Sequence, residues 1–352
     1  MQPDSILTPG VRQIASTRER RLTNQLPGGK LVGEEKANMM SGPSPPQILV
    51  GPAGWSYADW EGVVYPPHKP RGFHEAEYLA RYFDAIEINT TFYNSIRPAM
   101  AKAWARRVEH NKNFRFTAKL LKVFTHERNA GRQDEKAFKQ GVAPLVEAGR
   151  LGALLVQFPW SFKNTKENHE YLSGLFVQFM EYPLVVEVRH SSWNRPEIFA
   201  WLQEVGVGFC NIDQPVIGRS IGPSDLSTAP VGYVRLHGRN YEQWFSSGAQ
   251  PQERYNYFYS HAELEPWIER IRNIALQSAV TFVITNNHYG GKAIANALQL
   301  IHLLSKQQVH VPEDMLASFP ELKEIALPEP EIPLPHQTGL LFESSMAHKK
   351  DA

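Results

Sequence analysis

Two glutamates, an arginine and a histidine are the residues of this chain best suited to do chemistry. Glu87 and Glu187 each lie in a short apolar run, and Arg235 and His237 stand two positions apart in the segment YVRLHGR. Paired carboxylates can act as general acid and general base when their surroundings separate their pKa values. The planar guanidinium of arginine suits phosphate or carboxylate groups. The pattern therefore predicts acid–base chemistry on an anionic ligand.

The elements that position these residues are eight short apolar runs, most of them separated by stretches of helical periodicity. The runs are Ile48–Ala53, Ala85–Asn89, Phe114–Lys119, Ala153–Phe158, Leu184–Arg189, Val207–Asp213, Gly232–His237 and Thr281–Asn286. Strands that alternate with helices are typical of a parallel sheet. Eight of them favour an α/β fold with a single (β/α)8 TIM barrel over an open doubly wound sheet, which remains the alternative.

Polar residues near the ends of these runs share one parity. Because side chains of a strand alternate between the barrel interior and exterior, residues of equal parity share a face. The polar residues of this parity are Glu87, Asn89, Lys119, Gln157, Glu187, Arg189, Asn211, Asp213, Arg235, His237 and Asn286. Catalytic residues of TIM barrels lie at the carboxyl ends of the strands. We therefore expect these side chains to line the barrel interior at that end.

From this set and the loops that follow it we predict a site. The predicted catalytic residues are Glu87, Glu187, Asp213 and His237. The predicted ligand-binding residues are Trp55, Tyr57, Asn89, Lys119, Gln157, Arg189, Trp193, Arg235, Asn286 and Asn287. The loop aromatics either stack a sugar or a base or cover the core. An anion is expected near Arg235 and the turn at Gly290 and Gly291, because helix N-termini attract anions.

Charge compensation is the competing interpretation of the same residues. Lys119, Arg189 and Arg235 offset the carboxylates, and Arg235 alone could bridge strands. Buried ion pairs cost desolvation energy and are weak evidence for stability, which favours a functional role. If the charges serve a ligand, Glu187→Gln and Arg235→Met should leave stability nearly unchanged.

The carboxylates and His237 are also residue types that bind metals. The three nearby cations oppose a divalent ion, and no compact metal-binding motif or nucleotide-binding loop is present. We therefore predict neither a metal nor a cofactor.

Composition narrows the class of protein further. The chain has 37 Lys and Arg residues against 36 Asp and Glu residues, so it lacks the basic excess of a non-specific nucleic-acid binder. Its one cysteine, Cys210, leaves no intramolecular disulfide. The charged N-terminus does not resemble a signal peptide, and no apolar run has membrane-spanning length. These features predict a cytoplasmic protein.

The two ends of the chain differ in composition from its middle. Residues 1–46 mix Pro, Gly, Ser and charge without apolar periodicity and end in SGPSPP, which predicts a flexible N-terminal tail. Residues 326–352 are too rich in proline for a helix or a central strand and predict a second tail. The barrel is expected over residues 47–325.

The segments around the predicted strands resemble the YecE-like family, also called the domain of unknown function 72. The matching stretches are GPAGWSYADWEGVVYP from Gly51, FDAIEINTTFY from Phe83, FRFTAK from Phe114, LGALLVQFPWSF from Leu151, VEVRHSSW from Val186, NIDQP from Asn211, GYVRLHGR from Gly232 and ITNNHYGGKAIANA from Ile284. They occur in order at every predicted strand. The resemblance implies a TIM-barrel fold and supplies no established activity.

Three functions follow from these observations. The first is an enzyme that uses acid–base chemistry on a small polar anionic ligand, phosphorylated or sugar-like. The second is a nucleic-acid-binding or repair-endonuclease-like barrel, which rests on fold analogy and the loop aromatics. The third is a barrel that binds a ligand without turnover. A deep, closed pocket would favour the first, and a basic strip beside the barrel mouth would favour the second.

Overall fold

Eight parallel strands form one sheet in the computed structural model, which describes residues 47–244 and 251–328. The strands are β1 (Gln47–Pro52), β2 (Ala85–Ile88), β3 (Arg115–Lys119), β4 (Leu151–Gln157), β5 (Leu184–Glu187), β6 (Gly208–Asp213), β7 (Val231–Leu236) and β8 (Val280–Thr285). Each strand overlaps the apolar run predicted for it.

The sheet closes into a barrel between its first two strands. The hydrogen-bonded order β1-β8-β7-β6-β5-β4-β3-β2 leaves β1 and β2 at the edges. These edges meet at a parallel bridge between Ala53 and Glu87, where the amide of Gly54 donates to the Glu87 carbonyl at 2.8 Å. The close approach requires glycine at position 51, since a Cβ there would lie 1.7 Å from the carbonyl oxygen of Ala85. The predicted (β/α)8 barrel is confirmed, and the open sheet is excluded.

Helices join most of the strands and cover the outside of the barrel. They are α1 (Glu75–Leu79), α2 (Thr90–Tyr93), α3 (Pro98–Arg107), α4 (Arg132–Glu147), α5 (Lys166–Gln178), α6 (Pro196–Val205), α7 (Tyr241–Trp244), α8 (His261–Ala275) and, after β8, α9 (Lys292–Ser305). Pro98 and Pro196 begin α3 and α6, where a missing amide hydrogen costs nothing. Residues 214–230, between β6 and β7, contain no helix. A loop therefore covers the outer face of β6.

The side chains of β6 alternate with the opposite phase to the one predicted. The amide of Asn211 donates to the carbonyl of Leu226 in the loop at 2.8 Å. The register pairs Ile212 with Arg235, so Ile212 faces the interior and its neighbours Asn211 and Asp213 face outward. The parity prediction is therefore wrong for this strand. Asn211 binds backbone of the loop, and Asp213 binds polar side chains outside the barrel.

A small element follows the barrel at the C-terminal side. Strand β9 (Val309–His310) pairs in parallel with β10 (Ala326–Leu327), and α10 (Met315–Ser318) lies between them. The first two residues of the predicted C-terminal tail thus belong to a strand. Residues 329–352 of that tail, and the predicted tail at residues 1–46, lie outside the described residues. No helix in the described ranges is both long enough and apolar enough to cross a membrane.

Candidate functional site

A cavity of about 500 Å³ opens at the carboxyl ends of the strands. Its lining residues lie in or shortly after β1, β2, β3, β4, β5, β7 and β8, except for Tyr255 in the long connection that follows β7. They are Gly54, Trp55, Ser56, Tyr57, Asn89, Thr90, Tyr93, Asn94, Lys119, Gln157, Arg189, Arg235, Tyr255, Asn286 and His288. Strand β6, whose polar side chains face outward, contributes none of them.

Arg235 forms part of the cavity floor and bridges two buried glutamates. Its Nη2 donates to Oε1 of Glu87 at 2.7 Å, and its Nη1 donates to Oε2 of Glu187 at 2.6 Å. The side chain of Arg235 is 1% exposed, and both carboxylates are fully buried. The hydroxyl of Tyr233 donates to the other oxygen of Glu87 at 2.9 Å. This interior cluster joins β2, β5 and β7 across the barrel.

Glu187 is an ionised acceptor of hydrogen bonds. Its Oε1 accepts from Nε of Arg189 at 2.8 Å. Burial alone would raise the pKa of the Glu187 carboxyl, but the charges of Arg235 and Arg189 hold it well below its usual range. Glu187 therefore keeps its negative charge at neutral pH and has no proton to donate.

His237 lies beside this carboxylate and is neutral. Burial lowers the pKa of His237 to about 3. The amide nitrogen of Asn286 lies 3.0 Å from Nδ1 of His237, and Nη2 of Arg189 lies 3.4 Å from Nε2. Nε2 lies 3.3 Å from Oε1 of Glu187. The imidazole thus links the amide in the cavity wall to the interior cluster.

Lys119 brings a cation to the cavity wall without a carboxylate partner. Its ammonium lies over the ring of Phe92, 4.2 Å from the centroid, and no described carboxylate pairs with it. The oxygens of Glu87 and Glu187 are already engaged by Arg235 and its neighbours. Burial, together with the charge of Arg235, lowers the pKa of Lys119 to about 8. One positive charge is therefore available to a bound anion.

Aromatic rings form one side of the cavity. The rings of Tyr57 and His288 are stacked, with centroids 4.4 Å apart and planes 12° apart. The ring of Tyr255 lies 5.2 Å from that of His288. The Tyr57 hydroxyl donates to the carbonyl of Ala53 at 2.8 Å and lies 3.5 Å from the amide nitrogen of Asn89. Such a wall can stack against a sugar ring or another flat group.

Most of the predicted ligand-binding residues meet in the cavity. Those that line it are Trp55, Tyr57, Asn89, Lys119, Gln157, Arg189, Arg235 and Asn286. Three predicted catalytic residues, Glu87, Glu187 and His237, lie beneath it and are fully buried. They contact the lining residues Arg235, Arg189 and Asn286 instead of the open volume.

Asp213 lies elsewhere, on the outer face of β6. Its Oδ1 accepts from Nε of Arg239 at 2.8 Å, and its Oδ2 accepts from Nη2 of the same arginine at 2.6 Å. Trp267 of α8 donates to Oδ2 at 2.5 Å. This outer cluster is closed by the helix and does not border the cavity.

Trp193 and Asn287 also lie outside the cavity lining. Trp193 is buried and donates from Nε1 to the carbonyl of Phe162 at 2.8 Å. Asn287 donates to the Asn296 side chain at 2.8 Å and to the carbonyl of Tyr257 at 2.9 Å. Both residues hold loops in place beside the site.

Sequence reasoning missed several lining residues in the loops. His288 follows the Asn pair after β8, so its position near the strand end was a usable signal. Tyr255 comes from the long β7–α8 connection and gave no such signal. At the Gly290 turn, where an anion is expected from the sequence, the backbone amide of Gly290 donates to Oδ2 of Asp59 at 2.6 Å. A carboxylate of the chain itself takes that place.

The described residues offer little to a metal ion. Across residues 47–244 and 251–328, no three His, Cys, Asp or Glu side chains come together in an arrangement suited to one. The two interior carboxylates bind guanidinium groups, which places positive charge where a divalent ion would need to be.

Comparison with known proteins identifies related chains. Residues 49–321 match the family model described as "Protein of unknown function DUF72". The chain is 31% identical over 273 residues to the UPF0759 protein YunF of Bacillus subtilis, covering 73% of this chain and 94% of that protein. A solved DUF72 family protein from Thermotoga maritima is 34% identical with a TM-score of 0.65, over 74% of this chain and 99% of that one. One from Enterococcus faecalis is 26% identical with a TM-score of 0.65, over 74% and 96%.

Proposed function

The chain belongs to the DUF72 family, and we propose that it is an enzyme that binds a small polar anion in the cavity and acts on it by acid–base chemistry. The observation that carries this proposal is the ammonium group of Lys119, which faces the cavity with no carboxylate partner among the described residues. Lys119 would attract the anion and carry the proton.

The charge balance around the cavity supports an anionic ligand. Arg189 and Arg235 are matched by Glu87 and Glu187, to which they donate. His237 is neutral because burial lowers its pKa to about 3. Lys119 is therefore in excess, and a buried cation gains most from a partner that enters the same low-dielectric space.

Polar amides and rings in the wall favour a ligand with hydroxyl groups. Asn89, Gln157 and Asn286 all line the cavity. A small sugar can form hydrogen bonds with amide groups through its hydroxyl groups and can stack one face of its ring on an aromatic ring such as that of Tyr57. A phosphorylated or carboxylated sugar-like molecule combines these properties with a negative charge.

Lys119 is also the group best tuned to exchange a proton. General acid–base catalysis works best when the catalytic pKa is near the working pH, and the pKa of Lys119 is lowered to about 8. By contrast, the pKa values of Glu187 and His237 are both held far below neutrality. We assign these two residues to positioning Arg189 and Arg235.

Anion binding by matched lysine variants tests the proposal. Calorimetry with inorganic phosphate and glucose 6-phosphate should show binding to the natural protein and weaker binding, by about tenfold or more, to Lys119→Met, since a charge-assisted hydrogen bond contributes about 1.5 to 3 kcal/mol. Lys122→Met is the control, because Lys122 is 45% exposed and pairs with Glu127 at 2.8 Å. It should bind like the natural protein.

Two results would contradict the proposal. One is equal affinity in the natural protein and both variants, which would remove Lys119 from the binding site. The other is no binding of either probe together with strongly salt-dependent binding of duplex DNA, which would favour the nucleic-acid function. Binding without any turnover of added sugar phosphates would favour a barrel that binds without catalysis.

A further inference from the structure

Lys119 differs from Lys69 and Lys139, two other partly buried lysines, in what surrounds its amine. Lys69 donates to two carboxylates, Glu61 at 2.8 Å and Glu75 at 3.0 Å, and Lys139 pairs with Glu135 and Glu181. Lys119 lies on the interior face of β3 with its amine directed to an open cavity and an aromatic ring. Among the residues that the structure describes, no carboxylate forms an ion pair with its nitrogen.

We propose that Lys119 is a nucleophile that forms an imine with a carbonyl group of the ligand. The ligand class is then a small anion that carries an aldehyde or ketone, such as an oxo acid or a phosphorylated carbonyl compound. This inference rests on the proposed function and specifies its substrate class.

The positions of the neighbouring charges support a nucleophilic role. The charge of Arg235 and, to a lesser degree, that of Arg189 oppose protonation of the lysine, whereas Glu87 and Glu187 favour it. Glu187 is shared by the two arginines, and Glu87 binds Arg235. Burial is the largest cause, and the net effect lowers the pKa of Lys119 to about 8. At pH 7 about a tenth of the amines are then neutral, against less than about a thousandth for an unshifted lysine. Desolvation beside other cations is a recognised way to activate such an amine.

The chemical step needs only groups that the site and ligand contain. The neutral amine attacks the carbonyl carbon, a C–N bond forms, and the carbonyl electron pair goes to oxygen, which takes a proton. Loss of that hydroxyl group as water gives the protonated imine, so one ammonium and one carbonyl yield one iminium and one water. The side-chain amide of Asn89 lines the same cavity and can donate a hydrogen bond to the departing oxygen.

Reductive trapping with a phosphorylated aldehyde tests the inference. The protein is incubated at pH 7 with pyridoxal 5′-phosphate below stoichiometric amounts, reduced with borohydride, digested and mapped by mass spectrometry. Hydride adds to the imine carbon and fixes the probe on the nitrogen that formed the imine. We expect Lys119 to be labelled at least about tenfold more than Lys122, given the larger neutral fraction of its amine. Excess inorganic phosphate should suppress this label, and the uncharged analogue pyridoxal should label Lys119 less.

The Lys119→Arg variant separates this inference from the proposed function. It keeps the positive charge, so it should retain phosphate binding and lose the label, and a native circular dichroism spectrum and melting temperature verify its fold. Labelling confined to surface lysines, while Lys119→Met still weakens phosphate binding, would overturn imine formation and leave the proposed function standing. Labelling confined to surface lysines in the natural protein, together with unchanged phosphate affinity in Lys119→Met, would overturn both.

Discussion

Two buried carboxylate clusters lie at the carboxyl end of the barrel, and only one of them borders a cavity. Inside the barrel, Arg235 bridges Glu87 and Glu187 beneath the open volume. On the outer face of β6, Asp213 is held by Arg239 and Trp267. In both clusters an arginine donates to a buried carboxylate. The difference teaches that an unpaired cation beside an open volume, and not buried charge alone, marks the candidate ligand site.

The two clusters also differ in their access to water. Arg235 is 1% exposed, whereas the side chain of Arg239 is 28% exposed and also approaches Glu263 at 3.4 Å. Water can replace part of the hydrogen bonding that Arg239 gives to Asp213, because the surroundings of Arg239 are already partly solvated. Water cannot reach the fully buried carboxylates of Glu87 and Glu187 unless the surrounding side chains move. Removing an arginine should therefore be more costly inside the barrel than outside.

The largest expected effect is that of Arg235→Met. The substitution leaves Glu87 and Glu187 buried without their shared cation, and breaking a buried pair in this way costs about 3 to 5 kcal/mol. The melting temperature should fall by more than about 6 °C in a barrel of this size. This replaces the sequence-based expectation of tolerance, because both carboxylates are fully buried and held by several donors.

A triple variant isolates the electrostatic cause of that loss. Glu87→Gln, Glu187→Gln and Arg235→Met together remove all three charges, so stability should recover by at least about half, as expected when a buried ionic group is replaced as a whole. The measurement is the free energy of unfolding in urea. If the free energy of unfolding of Arg235→Met lies within about 1 kcal/mol of that of the natural protein, the interior cluster does not depend on its arginine more strongly than the outer cluster does.

Arg239→Met should have a smaller effect and should spare ligand binding. Asp213 loses two hydrogen bonds but keeps that from Trp267, and water can approach where Arg239 was exposed. We expect a loss of about 2 kcal/mol, in the range of charged hydrogen bonds. Phosphate affinity measured by calorimetry should be unchanged. A weaker affinity would mean that the outer cluster supports the cavity and that the two regions are coupled.

The contrast between the clusters shows what sequence could and could not predict. Strand positions and the interior parity of Glu87, Glu187 and Arg235 followed from apolar patterning, which the barrel geometry enforces. The parity prediction for β6 failed because its polar residues face outward: Asn211 binds the loop backbone, and Asp213 binds Arg239 and Trp267 of α8. Whether a polar strand end faces inward depends on what covers the strand, which is decided by residues distant in sequence.

Loop contributions to the cavity were predicted less completely for a related reason. Tyr57 stacks on His288, more than two hundred positions away in the chain, and such a pair follows only from barrel closure. The sequence also does not show which of the charged side chains form ion pairs with one another. The same composition of three cations and two acids describes either a set of closed ion pairs or, as here, pairs with Lys119 left over.

His237 should make the stability of the interior cluster depend on pH. Burial lowers the pKa of His237 to about 3, whereas histidine in an unfolded chain titrates near about 6.5. The unfolded chain therefore binds a proton that the folded chain rejects. The stabilisation is complete above about pH 6.5 and is lost as pH falls toward the folded value, by up to about 1.4 kcal/mol per pH unit.

Urea unfolding of the natural protein and His237→Gln between pH 7 and pH 5 measures this contribution. The natural protein should lose stability more steeply, by about 1 kcal/mol per pH unit in the lower part of that range. Other buried histidines, including His126 and His288, remain in both proteins and cancel in the comparison. Parallel slopes would show that His237 does not reject its proton in the folded state.

The smallest expected effect concerns Asp59, a carboxylate outside both clusters. Asp59 is exposed and accepts from the amide of Gly290 at 2.6 Å, at the turn that leads into α9. Asp59→Ala removes this hydrogen bond and a favourable charge near a helix start, which should cost about 0.5 to 1 kcal/mol. If Lys119 is the anion-binding group, phosphate affinity should stay within about twofold of the natural value, because an uncoupled surface change alters free energy by less than about 0.5 kcal/mol. A tenfold tighter affinity would instead mean that Asp59 competes with phosphate for the Gly290 amide, and that the anion binds at the helix start and not beside the interior cluster.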